Sequence, residues 1–262
     1  MASGVKAYSN GKNKNIRLYV CKDYEALSKK AALIVAAQVN TKPESVLGLA
    51  TGSSPVGMYK ELIKLCKEGS VDFSKVCSYN LDEYFPIEPT NDQSYRYFMN
   101  ENLFYGINIP LDCTHVPKGN AADIKKEAAD YDRAVANAGG IDLQVLGIGG
   151  NGHIGFNEPT DTFILPTHVV DLKEDTIKAN ARFFASIDDV PKRAISMGIG
   201  TIFAAHSIVL IASGKAKAKA IKDTLEANVN PQVPASILQL HQNVYVVIDE
   251  EAASLLNEYK PE

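Results

Sequence analysis

Gly147-Ile148-Gly149-Gly150-Asn151-Gly152-His153-Ile154-Gly155-Phe156-Asn157-Glu158-Pro159 is a glycine-rich segment in the second half of this chain. The residues before it, Ile141-Asp142-Leu143-Gln144-Val145-Leu146, form a short apolar run that reads as a buried strand feeding a glycine-rich loop. Five glycines in the nine residues from Gly147 to Gly155 let the backbone turn sharply and approach a ligand. That freedom carries an entropic cost which a plain connection seldom accepts. Among the glycines stand Asn151, His153 and Glu158, an imidazole flanked by an amide and a carboxylate. A histidine that exchanges protons needs a partner to fix its tautomer and stabilise its charged form, and Glu158 or Asn151 can supply one. The alternative is a loop histidine that caps something; the surrounding glycines and the closing Asn-Glu-Pro weigh against it.

The same strand-loop-helix pattern recurs upstream. Val46-Leu47-Gly48-Leu49-Ala50 reads as a strand running into Thr51-Gly52-Ser53-Ser54-Pro55, ahead of a helical pattern from Val56 to Cys66. A helix start offers unpaired N–H groups and hydroxyl donors, so Gly52, Ser53 and Ser54 are candidates for a phosphate cradle; an ordinary capped helix is the competing reading. The spacing fits neither a Walker loop nor a dinucleotide fingerprint. Val76-Cys77-Ser78-Tyr79-Asn80-Leu81 reads as a strand ending in Asp82-Glu83-Tyr84, which makes Asp82 or Glu83 a candidate general base unless both are solvated turn acids. Arg182, between small and aromatic residues, and Lys215, at a helix start after the strand Ile208–Ala212, are two further candidate phosphate ligands. An exposed charge is the alternative for Arg182. Lys217, Lys219 and Lys222 read as a solvated helix face, and Pro159 to Pro166 as a mobile cover.

Six or more short apolar strands alternate with helices, which predicts an α/β fold with a mostly parallel sheet covered on both faces: a single three-layer domain over 16–262, behind a flexible extension over 1–15. The 262 residues suffice for one large core, 45% hydrophobic and 22% charged content are ordinary for a soluble globular protein, and a net charge of -4 with no basic stripe argues against nucleic acid. The start of the chain lacks the apolar core of a signal peptide and no run reaches membrane-spanning length, so a cytoplasmic protein without a membrane partner is expected. Cys21, Cys66, Cys77 and Cys113 are scattered without a Cys-x-x-Cys pair, which indicates neither a zinc site nor a disulfide framework.

Taken together, Leu49–Pro55, Asn80–Tyr84, Gly149–Pro159 and Ala179–Phe184 resemble the glucosamine-6-phosphate deaminases, in the family's order and spacing from about Ile16 to the C-terminus. The Thr-Gly-Ser-Ser-Pro loop is shared more widely, including with 6-phosphogluconolactonases. The resemblance implies a modified Rossmann-like fold and conversion of glucosamine 6-phosphate and water to fructose 6-phosphate and ammonia, with no metal and no organic cofactor. It implies that His153, oriented by Glu158 and Asn151, assists ring opening, that Asp82 moves a proton from C2 to C1, and that Gly52–Ser54, Arg182 and Lys215 hold the phosphate. Asn151 stands where many members carry Asp, which shifts weight to Glu158. Deamination of galactosamine 6-phosphate and a non-catalytic sugar-phosphate sensor are the rival functions; a sensor would call for an added helix-turn-helix segment and decayed acids. The family is compatible with both monomers and hexamers, so a homo-oligomer stays open. Allosterically regulated members carry basic residues where this chain has His168 and Val170. N-acetylglucosamine 6-phosphate is therefore predicted not to activate; assays with and without it check this, and a large fall in the apparent substrate constant would contradict it.

Overall fold

The structure is a computed structural model that describes residues 4–9, 14–174, 177, 181, 184 and 186–261. Among the described residues its main sheet has nine strands. Seven are mutually parallel and lie in the order β2 (Ile16–Cys21), β11 (Val244–Asp249), β10 (Ser207–Ala212), β7 (Leu143–Leu146), β3 (Val46–Leu49), β4 (Cys77–Asn80) and β6 (Thr114–His115). The expected mostly parallel α/β sheet is thus present. At the β2 edge, β1 (Val5–Ser9) adds antiparallel and itself pairs with β12 (Lys260–Pro261). Part of the segment expected to be a flexible extension is therefore a strand, because β2 leaves an unpaired edge that Val5 to Tyr8 can satisfy.

Burial explains why the middle strands read as unbroken apolar runs. Every residue of β3, β7 and β10 is buried, as expected for strands covered on both faces. Helix α1 (Tyr24–Thr41) starts where the Asp23 carboxylate accepts the N–H of Ala26 at 2.8 Å. Its Leu27, Ala31, Val35 and Val39 make one buried stripe at helical spacing, against β11, β10 and β2. α2 (Val56–Lys67) packs on α1, and α4 (Ile124–Asn137), capped by Asp123, buries Ala128, Tyr131 and Val135. Among the described residues no helix is long and apolar enough to cross a membrane.

A second, three-stranded antiparallel sheet is the main departure from the expected single sheet. β5 (Asp82–Phe85), β9 (Arg193–Ser196) and β8 (His168–Asp171) pair in that order, with Asp82 opposite Ser196. The chain leaves β4 at Leu81, whose carbonyl accepts the N–H of Met197 at 2.7 Å, and so crosses directly from one sheet to the other. The last helix, Glu250–Ala253, is a single turn capped by Asp249.

The segment after Pro159 is tied down at its far end. Ile164 O and Leu165 O accept the N–H groups of Ile199 and Gly200 at the start of the helix Ile199–Phe203, at 2.8 and 2.9 Å. Gly198 permits this approach, since a methyl group there would lie 2.1 Å from Pro166 O and 2.3 Å from Leu165 O. Backbone cannot yield as a side-chain tip can. Gly198→Ala should therefore cost about 1–3 kcal/mol as an overpacking change, read as a lower midpoint in urea unfolding.

Candidate active site

Because β3, β7 and β10 are parallel neighbours, the loops that follow them open on the same sheet edge, where α/β sheets bind ligands. The loop after β3 turns at Gly52, whose φ of 87° suits glycine. It enters α2 at Pro55 with no side-chain cap. Among the described residues the hydroxyls of Thr51, Ser53 and Ser54 make no hydrogen bond, so they are not spent on capping the helix. That distinguishes the loop from an ordinary capped helix start. Ser54 also borders the glycine-rich loop: a methyl group on Gly147 would lie 4.0 Å from its Oγ.

Within the loop after β7, the His153 ring lies across Gly149, so closely that a methyl group there would sit 2.2 Å from the imidazole. The glycine is required for the ring's position. His153 Nδ1 is 3.4 Å from Glu158 Oε1, an electrostatic contact without hydrogen-bond geometry. Asn151 completes the group: its Nδ2 donates to Glu158 Oε2 at 2.7 Å, and its Oδ1 accepts the backbone N–H of His153 at 3.2 Å. The amide thus holds a buried carboxylate beside Nδ1 of the imidazole, and leaves Nε2 as the nitrogen for a ligand.

Asp82 and Glu83 are adjacent buried acids with different surroundings. Glu83 accepts the N–H groups of Tyr84, Tyr95 and Arg96 at 2.9, 2.8 and 3.0 Å, two of them at the start of α3 (Tyr95–Asn102). Those donors commit it to structure. Burial raises its pKa to about 7, with the three N–H groups opposing the rise. Asp82 is 6% exposed, and among the described residues its carboxylate makes no hydrogen bond. Its carboxyl is pushed up to about 8, chiefly by burial and further by the neighbouring Glu83 charge. It faces the glycine-rich loop: a methyl group on Gly155 would lie 3.7 Å from Asp82 Oδ2 and 3.0 Å from Ser196 Oγ. The structure therefore separates the two sequence candidates, leaving Asp82 as the acid aimed at the loop that carries His153.

The third loop brings a cation that sequence reading placed in solvent. Asp249, at the end of β11, accepts the N–H of Gly214 at 2.9 Å and the hydroxyl of Ser213, fixing a turn at Gly214 with φ 88°. The following turn, Lys215–Lys217, swings Lys217 inward, where its Nζ donates to Ile148 O at 2.6 Å. Burial holds its ammonium below the usual lysine pKa. No carboxylate pairs with it among the described residues. Lys215 is instead exposed, with its N–H on Glu251 Oε2 at 3.3 Å. Arg182 lies outside the described residues. A separate cavity of about 220 Å³ reaches Glu158 from the side of Thr162, His168, Val170 and Lys173. Among the described residues no three His, Cys, Asp or Glu side chains converge as a metal site would require.

A profile of glucosamine-6-phosphate isomerases/6-phosphogluconolactonase matches residues 22–247. The chain is 57% identical over 242 residues to a glucosamine-6-phosphate deaminase of Clostridioides difficile, covering 92% of this chain and 97% of that one. It is 56% identical over 239 residues to one from Alkaliphilus oremlandii, covering 91% and 99%. Among solved structures it resembles a monomeric glucosamine-6-phosphate deaminase, with 46% identity, a TM-score of 0.89 and coverage of 91% and 99%. A 6-phosphogluconolactonase from Thermotoga maritima, 18% identical with a TM-score of 0.70 over 90% of this chain and all of that one, shares the fold.

The raised Asp82 pKa has a consequence for stability. Its folded value near 8 exceeds the ordinary 3.8, so the folded state holds the proton more tightly. The stabilisation is complete below the unfolded pKa and is lost as pH rises towards 8. Asp82→Asn removes that titration. The variant should gain stability over the wild type by at least about 1 kcal/mol more at pH 8 than at pH 5, measured by urea unfolding at both.

Proposed function

The chain belongs to the family of glucosamine-6-phosphate isomerases and 6-phosphogluconolactonases, on its amino-sugar deaminase side, and from that premise we propose how its residues release ammonia from glucosamine 6-phosphate. The observation that carries the proposal is the Asp82 carboxyl, buried and pushed up to about 8, aimed at the loop that holds His153. A base with a pKa near the working pH accepts a proton from carbon and returns it at similar rates. The loop Gly52–Ser54 and the Lys217 ammonium, whose spare donors have no carboxylate partner among the described residues, receive the phosphate, with Lys215 as a further cationic group of the same edge and Arg182 as the further ligand that the family resemblance implies. Lys217 is supported by its bond to Ile148 O between the two loops.

His153 exchanges a proton with the ring oxygen through Nε2, while Glu158 stabilises the charged imidazole and Asn151 keeps Glu158 in place. Ring opening exposes the C1 aldehyde. Asp82 takes the C2 proton, the electrons shift onto the C1 oxygen, which gains a proton from the substrate's own ammonium group to give a neutral enolamine, and the same carboxyl returns its proton to C1. Carbon 2 is then an iminium; water adds to it and ammonia leaves, giving fructose 6-phosphate. The absence of effector activation is supported by the cavity beside Glu158, where the His168 ring is bonded to Pro166 O and its basicity is lowered by burial, and where Val170 carries no charge.

The test is release of ammonia and fructose 6-phosphate by the purified protein, beside Asp82→Asn and with galactosamine 6-phosphate as a control substrate. Robust release from the gluco substrate, reduced at least about a hundredfold in the variant, is expected from loss of a general base. No release from either amino sugar, with the sugar phosphate still bound, would favour a sensor.

A further inference from the structure

The start of α2 poses a question of hydrogen-bond bookkeeping. A helix that begins without a side-chain cap leaves N–H groups needing partners, and Ser53 and Ser54 are the residues that sequence proximity offers. Neither is used. The N–H of Gly57 is accepted instead, at 2.8 Å, by the phenol oxygen of Tyr24, a residue 33 positions earlier on the first turn of α1. The approach is close enough to demand a glycine: a methyl group on Gly57 would lie 2.9 Å from Tyr24 Cε1 and 2.2 Å from Ser28 Oγ.

The same phenol also acts as a donor. Its oxygen is 2.9 Å from Ser53 O and 3.0 Å from Ser54 O, so its one proton serves these two carbonyls in turn or together. In a trans peptide the C=O and the N–H that follows it point in opposite directions. Holding Ser53 O towards α1 therefore aims the N–H of Ser54 away from α1. The next peptide has no N–H, because Pro55 follows, and contributes only a carbonyl. That carbonyl would repel an anion if it turned inward, and Tyr24 keeps it out. Tyr59, whose hydroxyl donates to Ala50 O at 2.5 Å, anchors the other end of the loop.

We infer that Tyr24 is a positioning residue for phosphate recognition: it stands in for the helix cap, so that the Ser53 and Ser54 hydroxyls stay unspent, and it turns both loop carbonyls away from the anion. It touches no substrate. The inference rests on the reading of Gly52–Ser54 as the phosphate loop.

Tyr24→Phe removes one oxygen and keeps the ring against Gly57. Without the phenol the Gly57 N–H competes for the serine hydroxyls, and the two carbonyls are released. The KM for glucosamine 6-phosphate should rise roughly five- to tenfold, as for loss of one or two hydrogen bonds, with kcat changed less than about twofold. Competitive inhibition by inorganic phosphate should weaken by the same factor. A packing role alone would lower the unfolding midpoint and leave both phosphate readouts in place. Unchanged KM and unchanged phosphate inhibition in Tyr24→Phe, or a fall in kcat at fixed KM, would overturn the inference while leaving the phosphate loop standing. If phosphate fails to compete with substrate in the wild type, the reading of the loop falls, and the role of Tyr24 with it.

Discussion

Everything at this site depends on how the glycine-rich loop is joined to the strand behind it. Ser196 Oγ accepts the N–H of Phe156 at 2.9 Å, and Asn157 Nδ2 donates to Met197 O at 2.9 Å, so the end of β9 grips the loop from two successive residues. That same strand is paired with β5, with Ser196 opposite Asp82, and Met197 N–H reaches back to Leu81 O. One short stretch, Ser196-Met197, thus fixes the acid to the loop that bears the imidazole. Buried hydrogen bonds of this kind are costly to leave unmade, which gives the spacing its rigidity.

The constraint also explains an uncommon electrostatic arrangement. Two carboxyls at successive positions, both buried, would ordinarily be a liability. In an extended strand their side chains point to opposite faces, so Glu83 turns to the start of α3 and Asp82 to the loop. Both carboxyls are raised by burial, but three N–H donors oppose the rise of Glu83, to about 7, and none opposes that of Asp82, to about 8. The pairing of an unsupported acid with a supported one separates a reactive group from a structural one at adjacent positions.

Much of this was legible in the sequence. The strand-loop-helix units at Val46–Cys66 and Ile141–Pro159 announce themselves by apolar runs broken by small residues, and Asn151, His153 and Glu158 come together as their proximity in the chain suggests. What stayed hidden was pairing that periodicity does not encode. The second sheet depends on β5 leaving the plane of β4 and meeting strands more than 80 residues later, which no local pattern reveals. Lys217 reads as part of a solvated helix face with Lys219 and Lys222; only the turn fixed by Asp249, 32 residues further on, sends it inward. Tyr24 likewise looks like an ordinary helix residue until α1 and α2 are seen to pack at Gly57.

In the proposed mechanism the buried Asp82 carboxyl carries the proton between two adjacent carbons. Glucosamine 6-phosphate labelled with deuterium at C2 tests it most directly. If one shielded carboxyl does the transfer, part of the label appears at C1 of the fructose 6-phosphate formed, and Asp82→Asn neither transfers the label nor releases it to solvent. Complete loss of the label to solvent, at the same rate in Asp82→Asn as in the wild type, would contradict the account.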